Sequence, residues 1–267
     1  MHATGTSFAT AAFRILPLAA AVMMALAPAG RAQAQAQAQA PADPPVIVLI
    51  NPNSNASATE SMARLAQDAA GGRARVVGRT NEDAPGLLTT PGDMARAAGC
   101  VTEIGLQAAD RDDADAIIVS AFSDPGLAEL RRARPGLPVV GIGEEAFHEA
   151  ARGGRSFAIV TITPDPALVE SFRAKAEALG YLAQFRGVQV TPGDPNEIVE
   201  DPRRLDAALA EAVTRAIGEN GADAVIMGGG PLSAPALRIQ PQFDIPLVVA
   251  VTAATRAALE RIGKHSE

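Results

Sequence analysis

Tryptophan is absent, and aromatic residues make up only 3% of the chain. That excludes an aromatic cage for a quaternary ammonium and a stacking platform for single-stranded nucleic acid. No basic run exists and the formal net charge is −7, so nucleic acid has no electrostatic footprint here. The single cysteine, Cys100, rules out an intrachain disulfide, and the core alone must hold the fold. It sits in Ala97-Ala98-Gly99-Cys100-Val101, a helical pattern in which a lone cysteine is expected to be a small buried hydrophobe. No H-E-x-x-H motif is present, and no metal site is expected. The apolar run at residues 15–27 is broken by Pro17 and is too short to cross a bilayer.

That run has another reading. Arg14 precedes it, and Ala-x-Ala sites such as Ala32-Gln33-Ala34 follow. Charge, length and cleavage pattern predict a secretory signal peptide over residues 1–34. The Ala-Gln repeat through Ala40 and the stretch Pro41-Ala42-Asp43-Pro44-Pro45 predict a linker over 35–45. The mature protein is expected to be periplasmic or secreted, with no stable membrane insertion.

The remainder alternates short β-rich runs with longer amphipathic ones. Strands are predicted at 46–50, 74–78, 116–120, 138–142, 157–161, 184–189, 224–227 and 247–251. Most are apolar without alternation, as strands buried on both faces must be. Helices are predicted at 59–70, 93–109, 166–179, 202–220 and 252–262. The βαβα order indicates an α/β fold with parallel sheets.

The chain also repeats itself. Residues 114–121 read onto 222–229, and Leu137-Pro138-Val139-Val140 onto Ile245-Pro246-Leu247-Val248, both at offset 108. The segment from Val48 to Asn53 resembles that from Val160 to Asp165 at offset 112. Two similar lobes follow, lobe 1 from 46–148 plus 250–267 and lobe 2 from 149–249. Ligands of open parallel sheets sit beyond the carboxyl ends of the strands. Four strand ends, Asn51-Pro52-Asn53, Ala121-Phe122-Ser123, Thr161-Ile162-Thr163 and Gly228-Gly229-Gly230, are therefore expected to line one interlobe cleft.

These segments carry a resemblance. Leu49-Ile50-Asn51-Pro52-Asn53-Ser54 is similar to an I-N-P-N-[ST] motif. Ala121-Phe122-Ser123-Asp124-Pro125-Gly126-Leu127 is similar to C-F-G-D-P-G-L, and Gly141-Ile142-Gly143-Glu144-Glu145-Ala146 to G-I-[AG]-E-A-A. Residues 157–161 resemble F-[SA]-V-V-T, and Gly228-Gly229-Gly230 stands where L-G-C-A-G-M belongs. The chain thus resembles the Asp/Glu/hydantoin racemase superfamily, hydantoin racemase branch. The resemblance implies stereoinversion without a cofactor, one thiol on each face of the substrate exchanging the Cα proton. It also implies homo-oligomers. The two cysteine positions hold Ala121 and Gly229 here.

Residues for a small amino-acid-derived or ureide ligand are then Asn51, Asn53, Phe122, Ser123, Thr161, Gly228 and Gly230. Asn51 and Thr161 also read as turn and strand-end residues bonded to backbone. Asp124, Glu144 and His148 are the ionisable groups nearest the strand ends and the candidate substitute acids and bases. Asp124 also reads as the N-cap of the helix after Pro125. Glu144 and His148, spaced i,i+4, also read as an ion pair on one helix face. Two functions stand open: a binding protein without two-thiol racemisation, and a racemase or isomerase using non-cysteine groups.

Overall fold

The computed structural model describes residues 43–265. The expected signal peptide and most of the linker lie outside them. Within them the chain runs β1 (Val46–Asn51), α1 (Ala56–Ala70), β2 (Arg75–Thr80), α2 (Pro91–Arg111), β3 (Ala116–Val119), α3 (Leu127–Ala133), β4 (Val139–Gly141) and α4 (Ile142–Ala150). It continues with β5 (Phe157–Thr161), α5 (Pro166–Ala178), β6 (Phe185–Val190), α6 (Pro195–Ile198), α7 (Pro202–Gly218), β7 (Ala224–Met227), α8 (Ser233–Ile239), β8 (Leu247–Val249) and α9 (Ala250–His265). Two four-stranded sheets form, in the orders β2-β1-β3-β4 and β6-β5-β7-β8. Every pairing is parallel.

Local chemistry explains the elements. Strands β3, β5 and β7 are buried at every position, which is why their sequences are apolar rather than alternating. Helix starts are marked by polar caps. Asn55, Asp165 and Asp201 accept from first-turn N–H groups, and Thr90 with Asp93 forms a capping box.

The register corrects the expected repeat. Ile50 pairs with Val119, and Val160 pairs with Met227. With offset 108 between β3 and β7, β1 maps onto β5 at offset 110, not 112. Asn51 is then the mate of Thr161, and Asn53 of Thr163. The hydrogen bonds agree. Asn53 N donates to Asn51 Oδ1 at 3.3 Å, and Thr163 N to Thr161 Oγ1 at 3.1 Å. Ser120 N donates to Ile50 O, and Gly228 N to Val160 O, each at 2.8 Å. The prolines Pro52 and Pro164, which match at 112, belong to different positions of the two turns.

Three further differences have local causes. The strands predicted at 138–142 and 247–251 end at Gly141 and Val249, because α4 and α9 begin at the next residue. Helices α3, α4 and α8 are seven to nine residues long, too short for a clear 3.6-residue period. Cys100 is only partly buried, since Ala97, Val101, Gly105 and Ala108 form the buried face of α2.

The lobes exchange helices. Helix α4 follows β4 of the first sheet yet packs on β7 and β8 of the second. Helix α9 follows β8 and packs on β3, β4, α1 and α4. One hydrophobic cluster accordingly joins Ile47, Leu49 and Ile118 to Phe147, Phe157, Ile159 and Phe172. Its aromatic spine runs from Phe172 through Phe122 and Phe147 to Phe157, with centroids 5.1–5.9 Å apart.

Candidate functional site

A cleft opens where the carboxyl ends of β1, β3, β5 and β7 face one another. Its walls include Asn53, Ser120, Ala121, Phe122, Ser123, Ile162, Thr163, Gly228, Gly229 and Gly230. All four expected segments contribute. Leu87, Leu88 and Met94, from the segment after β2 and the start of α2, join Leu168 and Phe172 of α5. The space is about 570 Å³, including its opening to solvent. Sequence reasoning missed these five apolar residues, which carry no motif. Among the described residues, no Asp, Glu, His, Lys, Arg or Cys lines the cleft.

The three glycines differ. A Cβ on Gly228 would lie 2.8 Å from Ile159 Cγ2 and 3.2 Å from Val160 O. One on Gly230 would overlap Met62 Sδ and lie 2.9 Å from Ser120 O. One on Gly229 would meet nothing closer than Leu232 Cγ at 3.6 Å, and its φ of 164° is extended. The flanking glycines are set by packing. Gly229 is not, and the room above its Cα belongs to the cleft.

Asn51 and Thr161 do not line the cleft, which corrects their expected place. Asn51 is 1% exposed. Its Nδ2 donates to Asn53 Oδ1 at 2.8 Å, Thr59 Oγ1 at 3.0 Å and Asn55 O at 3.2 Å. Thr161 is wholly buried, and its hydroxyl donates to Gly228 O at 3.3 Å. Both hold the turns that present Asn53 and Thr163. Their polar atoms are taken up by neighbouring turn, strand and helix groups because each sits at the last strand position, below the rim.

Asp124, Glu144 and His148 are also off the cleft wall. Asp124 does not cap the helix after Pro125, whose N-cap position is Gly126 without a side-chain bond. Its carboxylate instead accepts from Gly143 N and Glu144 N, each at 2.8 Å, at the start of α4. Lys175 Nζ of α5 donates to it at 2.6 Å. Burial pushes the Asp124 carboxyl up, while Lys175 and the two amides pull it down. Glu144 holds Arg131 at 2.8 Å and His148 at 3.7 Å. It is lowered to about 2, first by His148 and then by Arg131, and His148 is raised chiefly by Glu144. His148 Nδ1 of α4 meets the Tyr181 hydroxyl, just after α5, at 2.8 Å. Glu145 pairs with Arg261. Glu144, Glu145 and His148 lie close enough to share an ion, but arginines already face both carboxylates.

Fold and cleft together define a two-lobed α/β protein of the racemase type, with one strand-end position from each lobe facing the cleft centre. The chain belongs to the Asp/Glu/hydantoin racemase family, whose model matches residues 47–258. It is 28% identical to hydantoin racemase of Rhizobium meliloti over 183 residues, 68% of this chain and 73% of that protein. Allantoin racemase from Klebsiella pneumoniae superposes with a TM-score of 0.75 at 24% identity, covering 82% of this chain and 88% of that one. Allantoin racemase from Pseudomonas fluorescens gives 0.69 at 26% identity, covering 82% and 92%.

Proposed function

We propose that this chain binds a small amino-acid-derived or ureide molecule in the interlobe cleft without two-thiol stereoinversion. The observation that carries this reading is the pair Ala121 and Gly229, equivalent positions of the two lobes that both face the cleft. Neither can accept or return a proton, and no ionisable side chain beside them replaces it. The remaining wall supports binding. Asn53, Ser123 and Thr163 offer polar atoms for a ureide or carboxylate head. Leu87, Leu88, Met94, Leu168 and Phe172 suit an apolar substituent. The likeness to hydantoin and allantoin racemases supports the ureide class. Export belongs to the same reading: Arg14, the apolar run and the Ala-x-Ala sites support a periplasmic or secreted mature protein.

Proton NMR in D₂O tests it with purified protein, 5-substituted hydantoins, allantoin, and D- and L-amino acids. Saturation transfer to a ligand, with its Cα–H signal decaying at the protein-free rate, is the expected result. Faster decay, abolished by Asp124→Asn, Glu144→Gln or His148→Gln, would overturn it in favour of an isomerase using a non-cysteine base.

A further inference from the structure

Lys175 stands on α5, in the second lobe, yet both its bonds reach the first. Its Nζ donates to Phe122 O at 3.1 Å and to Asp124 Oδ2 at 2.6 Å. Both acceptors belong to the segment between β3 and α3, which lays Ala121, Phe122 and Ser123 along the cleft. Lys175 itself is not on that wall. It lies in an outer groove with Ser123, Asp124 and Arg131.

The junction is built around this ammonium. Asp124 is 8% exposed and has a φ of 55°, in the left-handed region that aspartate tolerates better than most residues. The carboxylate also receives the first amides of α4. Two glycines keep the space open. A Cβ on Gly141 would overlap the Asp124 carboxyl group. One on Gly143 would overlap Phe122 O and lie 2.9 Å from Lys175 Nζ. Of 23 basic residues in the sequence only Lys175 and Lys264 are lysines. The site takes the compact ammonium where the chain otherwise uses the wider guanidinium fork.

We propose that Lys175 is the positioning residue of the cleft, reaching from the second lobe to fix the 121–124 segment of the first. Ligand affinity then depends on a side chain that does not touch the ligand. Only this affinity consequence rests on the binding function proposed above.

The test uses the full mature chain. Lys175→Met keeps the stem and removes the charge, and Lys175→Arg keeps the charge and changes its shape. Lys175→Cys in a Cys100→Ser background, alkylated with 2-bromoethylamine, rebuilds an ammonium at lysine length. Hydrogen-exchange mass spectrometry of residues 120–127 is compared with β5 as internal standard. Lys175→Met is expected to raise exchange at 120–127 by about tenfold with β5 unchanged. Lys175→Arg should not restore protection, and alkylated Lys175→Cys should. Binding of 5-isobutylhydantoin, followed by saturation transfer, should weaken and recover in parallel. Unchanged exchange at 120–127, an equal rise in every peptide, or full protection in Lys175→Arg would overturn the assignment. If Lys175→Met does not fold, unalkylated against alkylated Lys175→Cys decides the question. If wild type does not bind the hydantoin, the ligand class fails while the exchange data still judge Lys175.

Discussion

Replacing Gly228, Gly229 and Gly230 one at a time by alanine isolates the reason each is glycine. At Gly229 the new methyl meets Leu232 Cγ at 3.6 Å, an ordinary contact, on an extended backbone. Its stability should stay within about 0.5 kcal/mol of wild type, or rise slightly as the unfolded chain loses freedom. At Gly228 the methyl stands 2.8 Å from a branched side chain and 3.2 Å from a carbonyl. At Gly230 it stands 2.9 Å from the Ser120 carbonyl as well as against Met62. Neither carbonyl moves without its strand, so each of these substitutions should cost about 1–3 kcal/mol. Urea unfolding followed by far-UV circular dichroism measures this, since the chain has no tryptophan reporter. With a slope of about 2–3 kcal/mol per molar, the two flanking variants should lose about 0.3–1.5 M in midpoint. A Gly229→Ala loss equal to its neighbours' would refute the claim that this position is kept open by the cleft rather than by packing.

Installing thiols tests the site from the opposite direction. Ala121→Cys combined with Gly229→Cys should start Cα–H exchange of a 5-substituted hydantoin in D₂O, and either change alone should give less. Asn51→Ala should destabilise by about 1–3 kcal/mol in thermal or urea unfolding, because it removes the amide bonds to Asn53, Thr59 and Asn55 and takes the Oδ1 acceptor from Asn53 N in a buried turn. The Glu144–His148 pair sets a pH window. Glu144 is lowered to about 2, so its contribution is complete above the ordinary glutamate value near 4.5 and fades as pH falls toward 2. His148 is raised, so its contribution is complete below the ordinary histidine value of 6.5 and disappears as pH rises through its folded value. His148→Gln should flatten the alkaline limb of a melting-temperature profile and leave the limb below pH 4.5 shallower but present through Arg131. An unchanged alkaline limb would show that protonated His148 adds nothing to stability.

The fold was legible because strands buried on both faces have no choice of residue. Val48-Leu49-Ile50 and Ala158-Ile159-Val160, short runs rich in β-branched residues between turn residues, read as central strands and are fully buried. The duplication then located Ala121 and Gly229. What the sequence did not disclose depends on contacts between distant segments. Asp124 looked like a cap for the helix that follows it, and its true partners are Gly143, Glu144 and Lys175. Leu87, Leu88 and Met94 bear no mark of a binding wall, since an apolar residue outside a strand reads as core or as chance. Asn51 looked available because polarity at a strand end is visible in sequence, while the three acceptors that consume its amide are not.

The helix exchange bears on cooperativity. Residues 152–154 form an exposed turn with Gly153 and Gly154 at positive φ, an open place for a protease to nick. A cut there would separate the sheets along the chain but not in folding. Each fragment would carry one helix that packs on the other's sheet and lack one that packs on its own. The fragments should fold only together, and expressed alone each should aggregate or remain soluble only as a reciprocal pair of identical copies. The two halves of this chain are therefore expected to melt as one unit, neither half being a domain in the thermodynamic sense.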